Sequence, residues 1–353
     1  MVTDPICPSP RIAVLGTGAN GSCIGADLTE AGHDVVLIDQ WPLHVETMRS
    51  EGVRIRLPDR EQHVLVRAYH LCDIAKFTQP LDIVLLCVKA YDTRWACELI
   101  KPHLAETGLL IGMQNAMTTD TIADVVGPRR TIASAYELSS EMFTPGLVKR
   151  NVTPQRTWIG IGSISPSLEP RLPEVQALLA HVGRTEIKAD ILSAKWTKLV
   201  VNAMCLAPCA MVGLTVLDAI ELPGMRDLIV RIGNEAMQSG QDLGHPLEPI
   251  FGLTAADLAG SNNPAQTLFD KLVADIGPGR GRNTILQDLL KGRASEASMI
   301  NGRVAEESGR RGHAASANAA IAAIVARIEA GTLKPSRDNL ALALAHEKHG
   351  ARP

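Results

Sequence analysis

Residues 11–21 read Arg-Ile-Ala-Val-Leu-Gly-Thr-Gly-Ala-Asn-Gly, a β-branched apolar run that breaks into glycines, and Ile24, Leu28 and Ala31 follow at helical spacing before Gly32. A short apolar run ending in glycine predicts a buried parallel strand. The spacing beyond Gly21 predicts a helix that Gly32 closes as its C-terminal cap. A second strand is expected at residues 34–39. Strand, helix and strand in that order make a right-handed crossover between parallel neighbours, so this part of the chain is committed to an α/β sheet.

The residues between strand and helix, Gly16, Thr17, Gly18, Ala19, Asn20 and Gly21, carry a chemical meaning. Glycines there allow a tight turn and let the backbone approach a pyrophosphate at the positive end of a helix. Asp39 closes the second strand 23 residues after Gly16, with Gln40 beside it. Loop, context and acid together meet the test for a dinucleotide site. A carboxylate at Asp39 accepts hydrogen bonds from both hydroxyls of an adenosine ribose and repels a 2′-phosphate, so NAD is expected in preference to NADP. The competing reading keeps the glycines for packing alone and leaves Asp39 as a solvated turn residue.

At 353 residues the chain exceeds one ordinary core of roughly 100 to 200 residues, so two domains are expected. Further strands are expected at residues 53–57, 64–68, 82–88, 109–113 and 131–136, with a helix at 93–104, giving an open doubly wound sheet. Stretches 147–152 and 157–162 are expected to extend its edge. Helical periodicity takes over beyond residue 190, at 196–212, 217–239, 265–275, 283–309 and 314–330. The division is therefore placed between 1–190 and 191–353.

Lys plus Arg number 35 against 38 Asp plus Glu, and no basic block tracks a phosphate backbone, so nucleic acid is not an expected partner. Seven scattered cysteines, mostly in apolar runs, read as reduced thiols of a cytoplasmic protein. Cys205 and Cys209 share a helix face, but no further ligand accompanies them and no metal is expected. The start, MVTDPICPSP, has no export signal. Residues 199–217 run without a charge, yet Asn202, Pro208 and Thr215 interrupt them and Lys195, Lys198 and Asp218 bracket them, so a helix buried in protein is expected rather than a membrane span.

Several blocks combine with the glycine loop: Gly32-His-Asp-Val, Cys87-Val-Lys89-Ala-Tyr-Asp92, Met113-Gln-Asn115, Trp196-Thr-Lys198-Leu-Val-Val-Asn202, Glu235-Ala-Met-Gln-Ser-Gly240, Leu286-Gln-Asp288 through Glu296, and Ile300-Asn-Gly302. Over residues 11 to 330 this pattern resembles the ketopantoate reductase (2-dehydropantoate 2-reductase) family. The resemblance implies an N-terminal Rossmann domain and an all-helical C-terminal domain for substrate and dimerisation, with cofactor and substrate in the cleft between them. It implies that Lys198 supplies the proton, that Glu296 lies beside substrate and nicotinamide, and that Lys89 and Asn115 contact cofactor or substrate. Asn115, Asn202 and Thr284 are the substrate-binding positions it offers, and a homodimer is compatible with it.

The residues themselves support the same chemistry. Lys198 and Asn202 are four apart, so they share one face of an otherwise apolar helix, and a buried lysine needs a counter-charge that Glu296 can supply. Hydride addition to a carbonyl leaves an alkoxide that needs a proton, and a lysine whose pKa is lowered by burial delivers one near neutral pH. A structural ion pair, or solvated helix residues, is the alternative.

Departures from the family pattern bear on the substrate. Leu206 and Val216 stand where further polar side chains are expected, Asn115 is followed by Ala116, and Thr284 replaces a serine. Aliphatic replacements change what a pocket selects. The leading expectation is an NAD-dependent dehydrogenase or reductase acting on a secondary alcohol and its ketone, a hydroxy acid or a more apolar catabolite, with oxidation as the direction that suits NAD. NADPH-dependent reduction of 2-dehydropantoate in pantothenate synthesis and a non-catalytic dinucleotide sensor are the alternatives.

Overall fold

The apolar run at the start of the motif forms the first of twelve strands in the computed structural model, which describes residues 10–250, 256, 261–276 and 281–350. Cys7 and the start of the chain lie outside the described residues. The strands are β1 (Arg11–Leu15), β2 (Asp34–Asp39), β3 (Val53–Arg56), β4 (Glu61–Val64), β5 (Arg67–His70), β6 (Leu81–Leu86), β7 (Leu104–Gly112), β8 (Thr131–Glu137), β9 (Ser140–Thr144), β10 (Leu147–Arg150), β11 (Trp158–Ser163) and β12 (Arg184–Ile187). The chain divides into two compact units, residues 1–114 with 118–189 and residues 115–117 with 190–353.

The first unit holds an eight-stranded sheet in the order β12-β11-β8-β7-β6-β1-β2-β5, parallel except where β11 meets β8. This is the expected doubly wound α/β sheet. Alternate residues of each strand face opposite layers. Ile12 and Val14 pack with Ile24 and Leu28 of α1 (Ala19–Glu30), whereas Ala13 and Leu15 pack with Ala96, Ile100, Ile122 and Val125 of α3 (Thr93–Ile100) and α4 (Thr119–Val126). In the layer of α1 lies α2 (Pro42–Glu51), whose Val45 and Met48 join the same core and whose Pro42 stands in the first turn, where a missing N–H costs nothing.

Three strand expectations need correction. Residues 53–57 and 147–152 do not join the main sheet; they form part of a second sheet in the order β4-β3-β10-β9. Val53-Arg-Ile-Arg alternates buried and exposed residues, the pattern of a sheet covered on one face, whereas β1 and β2 inside the main sheet are buried from their second residue onward. Residues 64–68 are not one strand, because the chain leaves β4 at Val64, exposes Leu65 and enters the main sheet as β5. Residues 157–162 do extend the main sheet, as β11, and β12 beyond it was not anticipated.

Between β11 and β12 the first unit adds α5 (Leu172–Leu179), and the second unit is helical. The expected helix 196–212 is two, α6 (Ile191–Cys205) and α7 (Ala207–Met211), because Pro208 lacks the N–H needed to continue α6. Next come α8 (Val216–Ala219) and α9 (Met225–Asp242), separated at Gly224, whose φ of 84° is left-handed. The expected helix 283–309 breaks at Gly292 into Thr284–Leu290, a π turn at Ser298–Gly302 and Arg303–Arg310. Helices Pro264–Asp275, Ser316–Glu329 and Asn339–Gly350 complete the unit as described. Among the described residues no helix is long and apolar enough to cross a membrane.

One buried charge pair fastens the second sheet to the first helix. Arg150 of β10, fully buried, donates from Nη1 to Oδ2 of Asp27 at 2.6 Å and from Nη2 to Thr157 Oγ1 and the Val182 carbonyl. Replacing Arg150 with alanine leaves the buried Asp27 carboxylate without its counter-charge, and the expected loss is roughly 3 to 5 kcal/mol of stability, read by urea denaturation. A loss below about 1 kcal/mol would contradict that role.

Candidate functional site

Register places the glycine loop at the reversal of strand order. β1 lies between β2 and β6, with Leu15 opposite Ile38 on one side and Leu86 on the other, so Gly16, Asp39 and the segment 87–89 emerge side by side at the carboxyl ends of the strands. That edge is where open α/β sheets bind their ligands. Gly16 has φ of 92°, and a Cβ there would lie 2.6 Å from the Val88 nitrogen. A Cβ on Gly21 would overlap the Gly16 carbonyl oxygen. Gly21 is therefore required for α1 to start against the end of β1, and Gly16 for the loop to pass close to the segment that follows β6. Gly18 is exposed with nothing within 4 Å of its Cβ position, so the amino end of α1 faces open space. A cradle of free helix N–H groups bounded by Asp39 suits a pyrophosphate and an adenosine ribose.

The surroundings of the loop are built. Thr17 is buried and its Oγ1 lies 3.4 Å from Asp39 Oδ2, while Asp39 Oδ1 accepts from the Trp41 N–H at 2.8 Å. Asn20 turns its side chain inward, donating to Tyr136 Oη at 3.3 Å and accepting from Ser140 Oγ at 2.5 Å. Ala19 is half-buried and Gln40 exposed beside Asp39. Lys89, half-buried after β6, is set by Gln114, whose Nε2 donates to the Val88 carbonyl at 2.9 Å.

In the second unit, α6 is buried on nearly every side, as befits a helix at the centre of a bundle. Asp190 caps its start through Ser193, and Trp196 Nε1 anchors it to the Ala236 carbonyl at 2.9 Å. Lys198 and Asn202 are both buried, and Asn202 Nδ2 reaches the Asn115 carbonyl at 3.4 Å, which groups residues 115–117 with this unit. Thr284 opens its helix half-buried, next to Asn283, whose Nδ2 donates to the Leu206 carbonyl at 3.1 Å. Leu206 and Val216 are half-buried.

Glu296, 3% exposed, precedes the π turn. Asn301 in that turn donates to the Ala203 carbonyl of α6 at 3.1 Å and to Asn318 Oδ1 at 2.9 Å. Asn318 donates in turn to the Ile232 carbonyl and Glu235 of α9. Glu235 also accepts from the amides of Ala317 and Asn318; burial raises its pKa against those bonds. The motif residues Glu235 and Asn301 thus brace the helix carrying Lys198 and the turn after Glu296.

Sequence reasoning missed Lys195. It is 2% exposed, and burial pushes its pKa down to about 7 while the Glu296 carboxylate pulls it back up. Its signal was the spacing: 195, 198 and 202 fall at i, i+3 and i+7, one stripe of α6. Among the described residues no group of three or more His, Cys, Asp or Glu is placed to hold a metal ion.

The family described as Ketopantoate reductase PanE/ApbA matches residues 12–163, and its C-terminal part matches residues 190–329. The chain belongs to the ketopantoate reductase family. It is an NAD(P)-dependent oxidoreductase acting on CH–OH donors, the class of its relatives. The 2-dehydropantoate 2-reductase of Mesorhizobium japonicum is 25% identical over 319 residues, covering 84% of this chain and 90% of its own. A family ketopantoate reductase from Ralstonia eutropha superposes with a TM-score of 0.75 at 25% identity, covering 91% of this chain and 99% of its own. D-mandelate dehydrogenase, solved with NADH and anilino(oxo)acetate, shares the fold with a TM-score of 0.79 at 18% identity, over 91% of this chain and 99% of its own.

The lowered lysine has a measurable consequence. An unfolded chain holds the Lys195 proton to about pH 10.4, whereas the folded chain releases it near pH 7, so stability rises with pH across that interval and is lost as pH falls through 7. Lys195→Met should flatten that rise in unfolding free energy between pH 7 and 10. Parallel curves for the two proteins would rule out the buried lysine as its source.

Proposed function

We propose that this enzyme uses NAD in preference to NADP and interconverts a 2-hydroxy acid of apolar substituent with its 2-oxo acid. The observation that carries the cofactor preference is the Asp39 carboxylate, held by the Trp41 amide and beside Thr17 at the rim of the open glycine cradle. A carboxylate so placed offers its remaining lone pairs to two ribose hydroxyls and opposes a phosphate. For the substrate, the half-buried Leu206 and Val216 supply aliphatic surface at the positions where the family pattern has polar side chains. Mandelate, named in the structural neighbour, is a 2-hydroxy acid with such an apolar substituent.

The nicotinamide, when bound, supplies or takes the hydride. The protein's part is positioning and proton transfer. Lys198 Nζ gives a proton to the oxygen of the reduced carbon, and in oxidation its neutral form takes one back. Asn202 and Asn115 present amides to the carboxyl and hydroxyl oxygens, with Thr284 at the start of its helix as a further donor. Buried Glu296 supplies the negative charge that makes two lysines on one helix face tolerable. Lys89, Gln40 and the residues from Gly16 to Gly21 hold the dinucleotide. The relatives' own activity, reduction of 2-dehydropantoate, is the second reading and is supported by their names.

Two experiments test these assignments. Asp39→Ala should weaken NAD use and narrow the gap between cofactors; equal kcat/KM for NAD and NADP in the unmodified enzyme would refute the preference. Lys198→Ala should lower kcat by roughly 10²- to 10⁴-fold with little change in melting temperature. Assayed over a panel of 2-oxo acids, faster turnover of 2-dehydropantoate than of every apolar-substituted compound would replace the first reading with the second.

A further inference from the structure

His44 takes no part in the chemistry above, yet it is fully buried and bonded on both ring nitrogens. Gly146, in the turn between β9 and β10, donates its N–H to Nδ1 at 3.0 Å, so Nδ1 carries no hydrogen. Nε2 lies 2.9 Å from the Thr17 carbonyl, which can only accept, so Nε2 carries the hydrogen. Ser22 Oγ donates to the same carbonyl at 2.7 Å and sits 3.2 Å from Nε2. One neutral tautomer therefore spans from the second sheet to the middle of the glycine loop, and Thr17 Oγ1 continues the chain to Asp39 Oδ2.

We propose that His44 is the positioning residue of the dinucleotide loop: its neutral Nε2–H form holds the Thr17 carbonyl, and through Thr17 the Asp39 carboxylate, in the arrangement that takes an adenosine ribose. The proposal rests on the reading of that cradle as the NAD site. Protonation breaks the arrangement, because an imidazolium has no acceptor for the Gly146 N–H and sets two N–H groups against each other. The groups facing the ring are Asp39 from the end of β2, the Ser22 hydroxyl from α1, the Gly146 amide from the β9–β10 turn and the Trp41 ring at 5.8 Å. Burial lowers the pKa of His44 below the ordinary histidine value, with Asp39 and the Thr17 bond acting in the opposite sense. The neutral form, and the stability it contributes, is thus fully present above about pH 6.5 and lost as pH falls through the lower folded value.

The test is calorimetric titration of the full chain with NAD from pH 5 to 8.5, for the unmodified protein, His44→Gln and His44→Phe. Glutamine keeps a donor near the Nε2 position and does not titrate. The expected result is an unmodified protein whose NAD affinity is steady above pH 7 and falls roughly tenfold by pH 5, the size of a lost hydrogen bond to a buried group. His44→Gln should stay near the affinity of the unmodified protein at pH 8 and show a flat profile. His44→Phe should lose about tenfold in affinity at every pH, and in a steady-state assay of the same protein the loss should fall on KM for NAD rather than on kcat. Identical pH profiles for the unmodified and glutamine proteins, or full affinity in the phenylalanine protein, would overturn the assignment. If the unmodified protein bound no NAD even at pH 8, the cofactor site itself would fall, and this role with it.

Discussion

The contact on which the first unit depends is the one between the end of β1 and the first turn of α1. It exists because Gly21 has no Cβ, which would overlap the Gly16 carbonyl, and Gly16 has none to meet the backbone of residues 87 and 88 after β6. With the helix starting that close to the strand, its free N–H groups point out at the carboxyl edge of the sheet, where β2 delivers Asp39 and β6 delivers residues 87–89. Loop, acid and Lys89 are thus a consequence of one close approach together with parallel register.

The second unit is organised by a different constraint, the cost of charge inside a helix bundle. α6 carries Lys195, Lys198 and Asn202 into a region with almost no exposure. Such a helix is stable when carboxylates and amides come to meet it. Glu296 arrives from the segment before a π turn, and Asn301, Asn318 and Glu235 form a hydrogen-bonded chain from α6 to α9. Irregular helical turns are common beside functional groups, and here the irregular turn follows Glu296 and carries Asn301, which ties it to α6.

The glycine loop, Asp39 and the Lys198/Asn202 pair were legible because each depends on spacing along one element or across one crossover. So was the family, whose blocks recur along the chain. The second sheet was misread, although the alternation in Val53-Arg-Ile-Arg and the Gly52 before it were visible, because a strand's pattern reports how many of its faces are covered and not which sheet it joins. His44 was invisible as a positioning residue: a lone histidine in a first helical turn has no pattern, and its partners Thr17 and Gly146 lie 27 and 102 residues away.

By itself the sequence determined the class of fold, the glycine loop and the polar residues of α6, since these follow from local periodicity and from where glycine alone can stand. Tertiary structure alone decided that Arg150 pairs with Asp27, that His44 holds Thr17 as the neutral Nε2–H tautomer, and that burial lowers the pKa of Lys195. The reason is physical: hydrogen-bond partners and the loss of solvation depend on which distant segments pack around a side chain, and burial acts on a lysine through all of its neighbours at once.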